Sequence, residues 1–179
     1  MLKKRKAIFL DRDGVIVRSN VIDGKPFAPI SLKEFKLLPY ASKYIDLFKK
    51  ENYLTIIISN QPDVSKGIIS NETLNKMNEI LFFKTKIDDI YICTHTDSDN
   101  CKCRKPKNGL IIKAAKKYNI NLNKSYMIGD RKKDIDAGIL SNCKTVFIDR
   151  NYIEQKPKNF DYKVSSLQKA FFYILNDSK

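Results

Sequence analysis

Short apolar runs rich in β-branched and aromatic residues recur along the chain: AIFL (7–10), YLTIII (53–58), IYIC (90–93), YMIG (126–129) and TVFI (145–148). Each is of strand length, and the runs read as buried strands. Between them the apolar positions follow helical spacing. YASKYIDLFKKEN sets Tyr44, Ile45, Leu47 and Phe48 near one face, and NETLNKMNEILFF does the same with Leu74, Met77, Ile80 and Leu81. GLIIKAAKKYNI, DIDAGILSN and SSLQKAFFYIL continue the alternation. Strand and helix in strict turn predict an α/β fold, a three-layer Rossmann-like domain with a mainly parallel central sheet covered on both faces.

Two segments break the rhythm: VRSNVIDGKPFAPISLKEFKLLP after the first strand and THTDSDNCKCRKPKN after the third. Both read as loop insertions over one end of the sheet. Ligands of open α/β sheets bind beyond the carboxyl ends of the strands, so these insertions are where specificity is expected. There is no internal repeat, low-complexity tract or linker, and residues 1–179 are expected to form a single domain.

Composition changes this picture little. The hydrophobic share of 42% and charged share of 30% are those of an ordinary soluble globular chain. The formal net charge of +14 implies attraction to anions. Its basic residues are scattered (3–6, 49–50, 102–107, 131–133), so it reads equally as a lysine-rich bias or as a purposeful surface. The N-terminal apolar run, Ala7 to Leu10, is too short for an export signal or a membrane span. The expectation is therefore a cytoplasmic protein with reduced cysteines and no membrane association. No heptad or apolar interface stands out, and a monomer is expected.

Chemistry gathers at the strand ends. The first strand runs into LDRDGV, so Asp11 leaves its end with Asp13 two positions on. One carboxylate there can attack phosphorus while the other protonates the leaving oxygen and later activates water. Mg²⁺ suits such a site, as a hard cation that neutralises phosphate charge. The second strand ends in ISNQ, where the Ser59 hydroxyl and nearby backbone N–H groups are placed to hold phosphate oxygens; Asn60 and Gln61 are added as substrate contacts. CRKPKNG follows the third strand and supplies Lys105 as a compact cation and Arg104 as a planar fork for a second anion. The fourth ends in IGDRKKDIDAG, where Asp130 completes a metal set and Asp134, one turn along the next helix, orients it. Taken singly, each of these is equally a turn, a cap or a basic loop. Four strands delivering them to one edge is the signal.

DRDGV, SNQ, RKP and GDRKKD together resemble the four motifs of the haloacid dehalogenase superfamily of phosphohydrolases, over roughly residues 7–149. The resemblance implies Asp11 as nucleophile, Asp13 as general acid and base, and Ser59 and Lys105 as the phosphoryl-holding pair. It also implies Mg²⁺ on Asp11, Asp130 and the Asp13 backbone carbonyl.

Cys93, His95, Cys101 and Cys103 fall within eleven residues that contain the chain's only histidine and three of its four cysteines. Three thiolates and an imidazole form a closed tetrahedral set, the composition of a structural zinc site with no open catalytic position. THTDSDN has little apolar content with which to fold, so metal is expected to order this zinc-binding loop and fix the backbone that aims Arg104 and Lys105. Cys143 lies outside the set and reads as a buried small hydrophobe.

A loop of this form just before CRKP resembles the branch containing the heptose 1,7-bisphosphate 7-phosphatases and the histidinol-phosphate phosphatases. That resemblance implies a phosphorylated sugar substrate, recognition by Arg104, loops in place of a large cap domain, and a cytosolic role in making nucleotide-activated heptose for lipopolysaccharide or other surface glycans. The loop VRSNVIDGKPFAP departs from typical members; Ser19 and Asn20 occupy the approximate place of substrate contacts, Lys25 is a further anion contact, and the sugar anomer stays open. A polynucleotide 3′-phosphatase or a non-catalytic sugar-phosphate-binding module are the rival readings. Nucleic acid is not expected, because no basic stripe interleaved with aromatics is present.

Overall fold

The computed structural model describes residues 4–177; Lys3, the first of the scattered basic residues, lies outside them. Six strands, β1 (Lys6–Leu10), β4 (Tyr53–Asn60), β5 (Asp89–Cys93), β6 (Tyr126–Gly129), β7 (Lys144–Ile148) and β8 (Tyr162–Val164), form one sheet in the order β5-β4-β1-β6-β7-β8. Every pairing in it is parallel. The crossovers run through α1 (Ala41–Lys50), α2 (Asn71–Thr85), α3 (Gly109–Tyr118) and α4 (Lys132–Leu140), and α5 (Leu167–Asp177) closes the described chain.

Alternation along the central strand divides the core. Ile8 and Leu10 face a cluster with Tyr44, Ile45 and Phe48 of α1, Met77 and Leu81 of α2, and Phe171 and Ile174 of α5. Ala7 and Phe9 face the other side, with Leu110, Ile111 and Ala114 of α3, Ala137 of α4, and Cys143, which is also buried there. The period-two pattern of a strand thus meets two helical stripes, giving the three layers. Shortening a central residue such as Ile57, fully buried, to alanine would cost about 2–5 kcal/mol.

The elements follow the sequence pattern within a few residues, and α2 starts where Ser70 accepts a 3.0 Å hydrogen bond from the Thr73 amide. Two features depart from it. The insertion after β1 is not merely a loop: β2 (Asn20–Ile22) and β3 (Lys25–Phe27) form an antiparallel hairpin, separate from the main sheet. Its two-residue turn, Asp23-Gly24, has positive φ at both positions (48° and 72°), the conformation an Asp-Gly pair favours. The second is β8, a short outer strand that the sequence pattern did not mark.

Candidate active site and metal-ligand clusters

The register brings the motif residues together. Leu10 lies beside Ile57 of β4 and Ile128 of β6, so Asp11 emerges between two neighbours, and its amide continues the ladder with a 2.9 Å bond to the Ile128 carbonyl. Ser59 and Asn60 end β4 opposite Ile92 and Cys93 of β5. Asp130 follows Gly129 at the end of β6. The sheet edge therefore collects residues far apart in sequence.

Lys105 is buried, 2% exposed, and binds across this edge. Its ammonium donates to Asp11 Oδ1 (2.7 Å) and the Ile58 carbonyl (2.7 Å) and pairs with Asp134 Oδ1 at 2.6 Å. Burial works to lower its pKa, but Asp11 and Asp134 outweigh burial and the net shift is upward, so it stays charged. The Asn60 side chain holds the Lys105 backbone from both sides, donating to its carbonyl and accepting from its amide, each at 3.1 Å.

Asp11, Asp130 and Asp134 place one carboxylate oxygen each within 4.8 Å of one another. All three are buried. Both Asp130 oxygens lack a hydrogen-bond partner, and burial first, then the charges of Asp11 and Asp134, push its pKa well up. Asp134 is pushed up to about 6 by burial first and Asp11 next, against Lys105. Three carboxylates around one ammonium leave negative charge that a hard divalent cation would neutralise, and the unsatisfied Asp130 oxygens are donors for it. These residues fit Mg²⁺. Asp134 does more than orient: it belongs to the cluster while its Oδ2 also accepts from the Arg131 amide at 3.0 Å, capping α4. Gly14 turns the chain at φ +86° past this point, where a Cβ would lie 1.7 Å from Asp130 Oδ2.

The Asp13 carboxylate is not in that cluster. It pairs with the fully buried Arg12 (Nη2–Oδ2 3.0 Å) and accepts from Gln61 Nε2 at 2.7 Å. Its pKa is raised, chiefly by burial, with Arg12 pulling the other way and Asp11 adding to the rise. A carboxyl held this way keeps its proton to higher pH than usual, as a general acid requires.

A cavity of about 250 Å³ opens over these groups, lined by Asp11, Asp13, Asn60, Arg104, Lys105 and Asp134 from the motifs and by Ser19, Phe27, Lys66, Arg131 and Lys133 from the surrounding loops. Of the proposed substrate contacts, Ser19, Asn60 and Arg104 line it. Three others do not: Ser59 and Gln61 are buried behind Asp13, bonded to each other at 2.9 Å, and the Asn20 amide is given to Glu34 at 2.7 Å. Lys25 lies on β3 outside the lining. Sequence reasoning passed over Arg12, Lys66, Arg131 and Lys133; for Arg12 the signal was a cation set between two aspartates. A larger groove of about 850 Å³ at the opposite end of the sheet gathers Lys4, Arg5, Lys6, Lys49 and Lys124, but its one acid, Asp88, is paired with Lys49. It holds no carboxylate set for a metal.

Cys93, His95, Cys101 and Cys103 converge at the end of β5. Cys103 Sγ lies 3.1 Å from Cys93 Sγ and 3.3 Å from Cys101 Sγ; Cys93 and Cys101 are 3.7 Å apart, and His95 Nδ1 is 3.3 Å from Cys103 and 3.5 Å from Cys93. Ligands at about 2.3 Å around a tetrahedral ion sit ~3.7 Å apart, so this set fits zinc with a slight opening. Burial first, with a neighbouring thiol, pushes Cys93 up to about 12, while Cys101 falls to about 6 because thiol and backbone hydrogen bonds outweigh its own desolvation. The loop also fixes Arg104, whose guanidinium donates to Asp97 (2.7 Å) and the His95 carbonyl (3.1 Å).

Residues 102–169 match the family of HAD-hydrolase-like proteins. The chain is 34% identical over 150 residues to a protein of Helicobacter pylori named D-glycero-beta-D-manno-heptose-1,7-bisphosphate 7-phosphatase, covering 80% of this chain and 83% of that one. It is 32% identical over 164 residues to the Campylobacter jejuni protein named for the alpha anomer, covering 89% and 88%. Among solved structures, the D,D-heptose 1,7-bisphosphate phosphatase of B. bronchiseptica, complexed with magnesium and phosphate, shares the fold at a TM-score of 0.83, with 23% identity over 96% of this chain and 99% of that one. With this fold, these motif residues at one sheet edge and that identity over four fifths of its length, the chain belongs to the heptose-1,7-bisphosphate 7-phosphatase family of haloacid dehalogenase-like hydrolases.

Proposed function

We propose that this protein hydrolyses the 7-phosphate of a D-glycero-D-manno-heptose 1,7-bisphosphate through an aspartyl phosphate on Asp11. The observation that carries the proposal is Asp11 itself. It follows a central strand, against Lys105 (2.7 Å) and beside two further carboxylates, and lines a cavity that sets cations among acids.

An Asp11 carboxylate oxygen attacks phosphorus in line with the departing sugar oxygen, and the phosphorus–oxygen bond to the sugar breaks. Asp13 gives its proton to that oxygen, and the heptose 1-phosphate leaves. Asp13, now ionised, takes a proton from water, whose oxygen attacks the phosphorus and returns Asp11 as a carboxylate. Lys105 stays charged throughout and balances the phosphoryl oxygens, and Ser59, behind Asp13, holds the strand end that shapes their site. Asp11, Asp130 and the Asp13 carbonyl, with Asp134, are the groups that would hold Mg²⁺, which when bound supplies charge neutralisation at the phosphoryl group. Zinc on Cys93, His95, Cys101 and Cys103 would be structural, setting the backbone of Arg104 and Lys105.

The second phosphate favours this substrate over histidinol phosphate. Lys66, Arg104, Arg131 and Lys133 line the cavity beside Lys105. Each of the four has an acidic partner, Asp63, Asp97, Glu154 and Asp97 in turn, and a second phosphate would compete for these cations where the amine of histidinol phosphate could not. The reaction belongs to the making of nucleotide-activated heptose for lipopolysaccharide or another surface glycan, by a cytoplasmic monomer; among the described residues no helix is long and apolar enough to cross a membrane. Relatives named for the two anomers stand at 34% and 32% identity, so the assay carries both. Magnesium-dependent kcat/KM on each anomer should exceed that on histidinol phosphate or a 3′-phosphorylated oligonucleotide by at least about 100-fold, ~2.7 kcal/mol of discrimination. Equal or higher rates on histidinol phosphate would overturn the assignment of substrate.

A further inference from the structure

The segment from Asp149 to Pro157, between β7 and β8, lies outside the four motifs, yet successive residues in it grip different parts of the site. Arg150 Nε donates to the Gly14 carbonyl at 2.9 Å, in the turn just after Asp13. The Tyr152 hydroxyl reaches the same turn, where a Cβ on Gly14 would lie 3.0 Å from it, and it faces both the Asp130 carboxylate and Ser19. Ile153 donates its amide to the Gly24 carbonyl at 2.8 Å, and its side chain covers Gly24 so closely that a Cβ there would come within 2.5 Å. Glu154 accepts from Arg131 at 2.6 Å. At its base, Asp149 is anchored by Lys156 and Lys163 at 2.8 and 2.9 Å.

The hairpin needs such an anchor. β2 and β3 pair with each other and not with the main sheet, and Val21, Ile22 and Phe27 are all about half exposed. An isolated two-stranded hairpin is marginally stable in water. Yet Pro26, Phe27 and Ala28, at its end, line the same cavity as the catalytic aspartates. Where the hairpin sits decides how much room the non-reacting part of the substrate has.

We propose that the 149–157 segment is a strap that fixes the β2–β3 hairpin over the cavity, with Ile153 as its clamp on the hairpin turn and Tyr152 as a positioning residue that seats Ser19 against the Asp130 side of the site. Through Ile153 and the hairpin, the strap acts on substrate fit. Its bearing on the sugar rests on the function proposed above; its bearing on the hairpin does not.

Two variants test it. Ile153 is 70% exposed, so Ile153→Ala strips the side-chain cover from Gly24, leaving the amide bond, without touching the core. Tyr152→Phe removes the hydroxyl alone. In Ile153→Ala, amide hydrogen exchange at residues 20–27 should accelerate roughly tenfold while the strands of the main sheet keep their protection. In Ile153→Ala KM for the heptose bisphosphate should rise about tenfold with kcat nearly unchanged, and both constants for a small aryl phosphate, too short to meet the hairpin, should stay at the parent values; in Tyr152→Phe, whose lost hydroxyl faces Asp130 as well as Ser19, KM for the heptose bisphosphate should rise more steeply than KM for the aryl phosphate. Unchanged exchange at residues 20–27 in Ile153→Ala would overturn the clamp, and KM values for the two substrates rising together would overturn the role in fit. If the parent hydrolyses the aryl phosphate but not the heptose bisphosphate, the proposed substrate fails while hydrogen exchange still decides the strap.

Discussion

Two clusters of metal-competent side chains share one sheet edge, and they are built in opposite ways. Asp11, Asp130 and Asp134 come from two strand ends and the first turn of α4, positions set by the parallel ladder and by the core on both faces. Cys93, His95, Cys101 and Cys103 come from one strand end and a loop, with His95 exposed, both loop cysteines only partly buried and little apolar surface to hold them. The first site is ordered by the fold and then receives a cation. The second, on the function proposed above, would draw its order from its cation. Charge follows the same division: hard oxygen donors sit where phosphate chemistry is to occur, and soft thiolates where a backbone must be held still.

The largest expected effect breaks the first cluster while sparing its architecture. Asp11→Asn should lower kcat by at least about 10⁴-fold without loss of folded circular dichroism, because the nucleophile is removed and the strand end is not. Parent-like turnover would remove Asp11 from its role. Next comes Lys105→Met, which should cost roughly 10²–10³-fold in kcat; it also leaves Asp11 and Asp134 facing each other without their shared cation, so the melting temperature should fall with it. A variant that loses activity and gains stability is the signature of repulsion tolerated for function, and would refute that second claim.

The comparison sharpens at the loop. Cys101→Ser, or stripping zinc with a chelator and restoring magnesium, should raise hydrogen exchange across residues 94–103 and lower kcat/KM about 10–100-fold through Arg104 and Lys105, with the main sheet still protected. Unchanged kinetics in the zinc-stripped variant would separate the loop from catalysis.

The smallest effect is electrostatic. Asp13 has a raised pKa, so its protonated form, needed to release the sugar oxygen, persists to higher pH than in an ordinary carboxyl, and kcat/KM falls as pH rises through that value. Arg12 lowers the same pKa, so Arg12→Met should move the falling limb to higher pH. A limb that stays put, or moves down, would show that Arg12 does not set the acid.

What was legible in the sequence was what is local or periodic. Ile8 and Leu10 alternate with Ala7 and Phe9 as a strand requires, Leu74, Met77 and Leu81 keep helical spacing, and the Cys₃His set lies within one short loop. Asp11, Lys105 and Asp130 were legible because strand ends in an open sheet share an edge. Side-chain direction was not. Gln61 follows a strand end like Asn60, yet it turns inward to Asp13 and Ser59, while Asn60 grips the Lys105 backbone. Asn20 turns away to Glu34. The hairpin had a visible signal in Asp23-Gly24 between short β-forming runs, which the surrounding polarity obscured. Tyr152 had none: its contacts, Gly14 and Ser19, lie more than a hundred positions upstream and meet it only once the sheet is closed.

The most direct test of the account is the site of cleavage, read by phosphorus NMR while the enzyme and Mg²⁺ act on the heptose 1,7-bisphosphate. The expected spectrum loses the 7-phosphate resonance, gains inorganic phosphate and keeps the anomeric 1-phosphate. Loss of the 1-phosphate, or an intact bisphosphate beside an enzyme active on other monoesters, would contradict it.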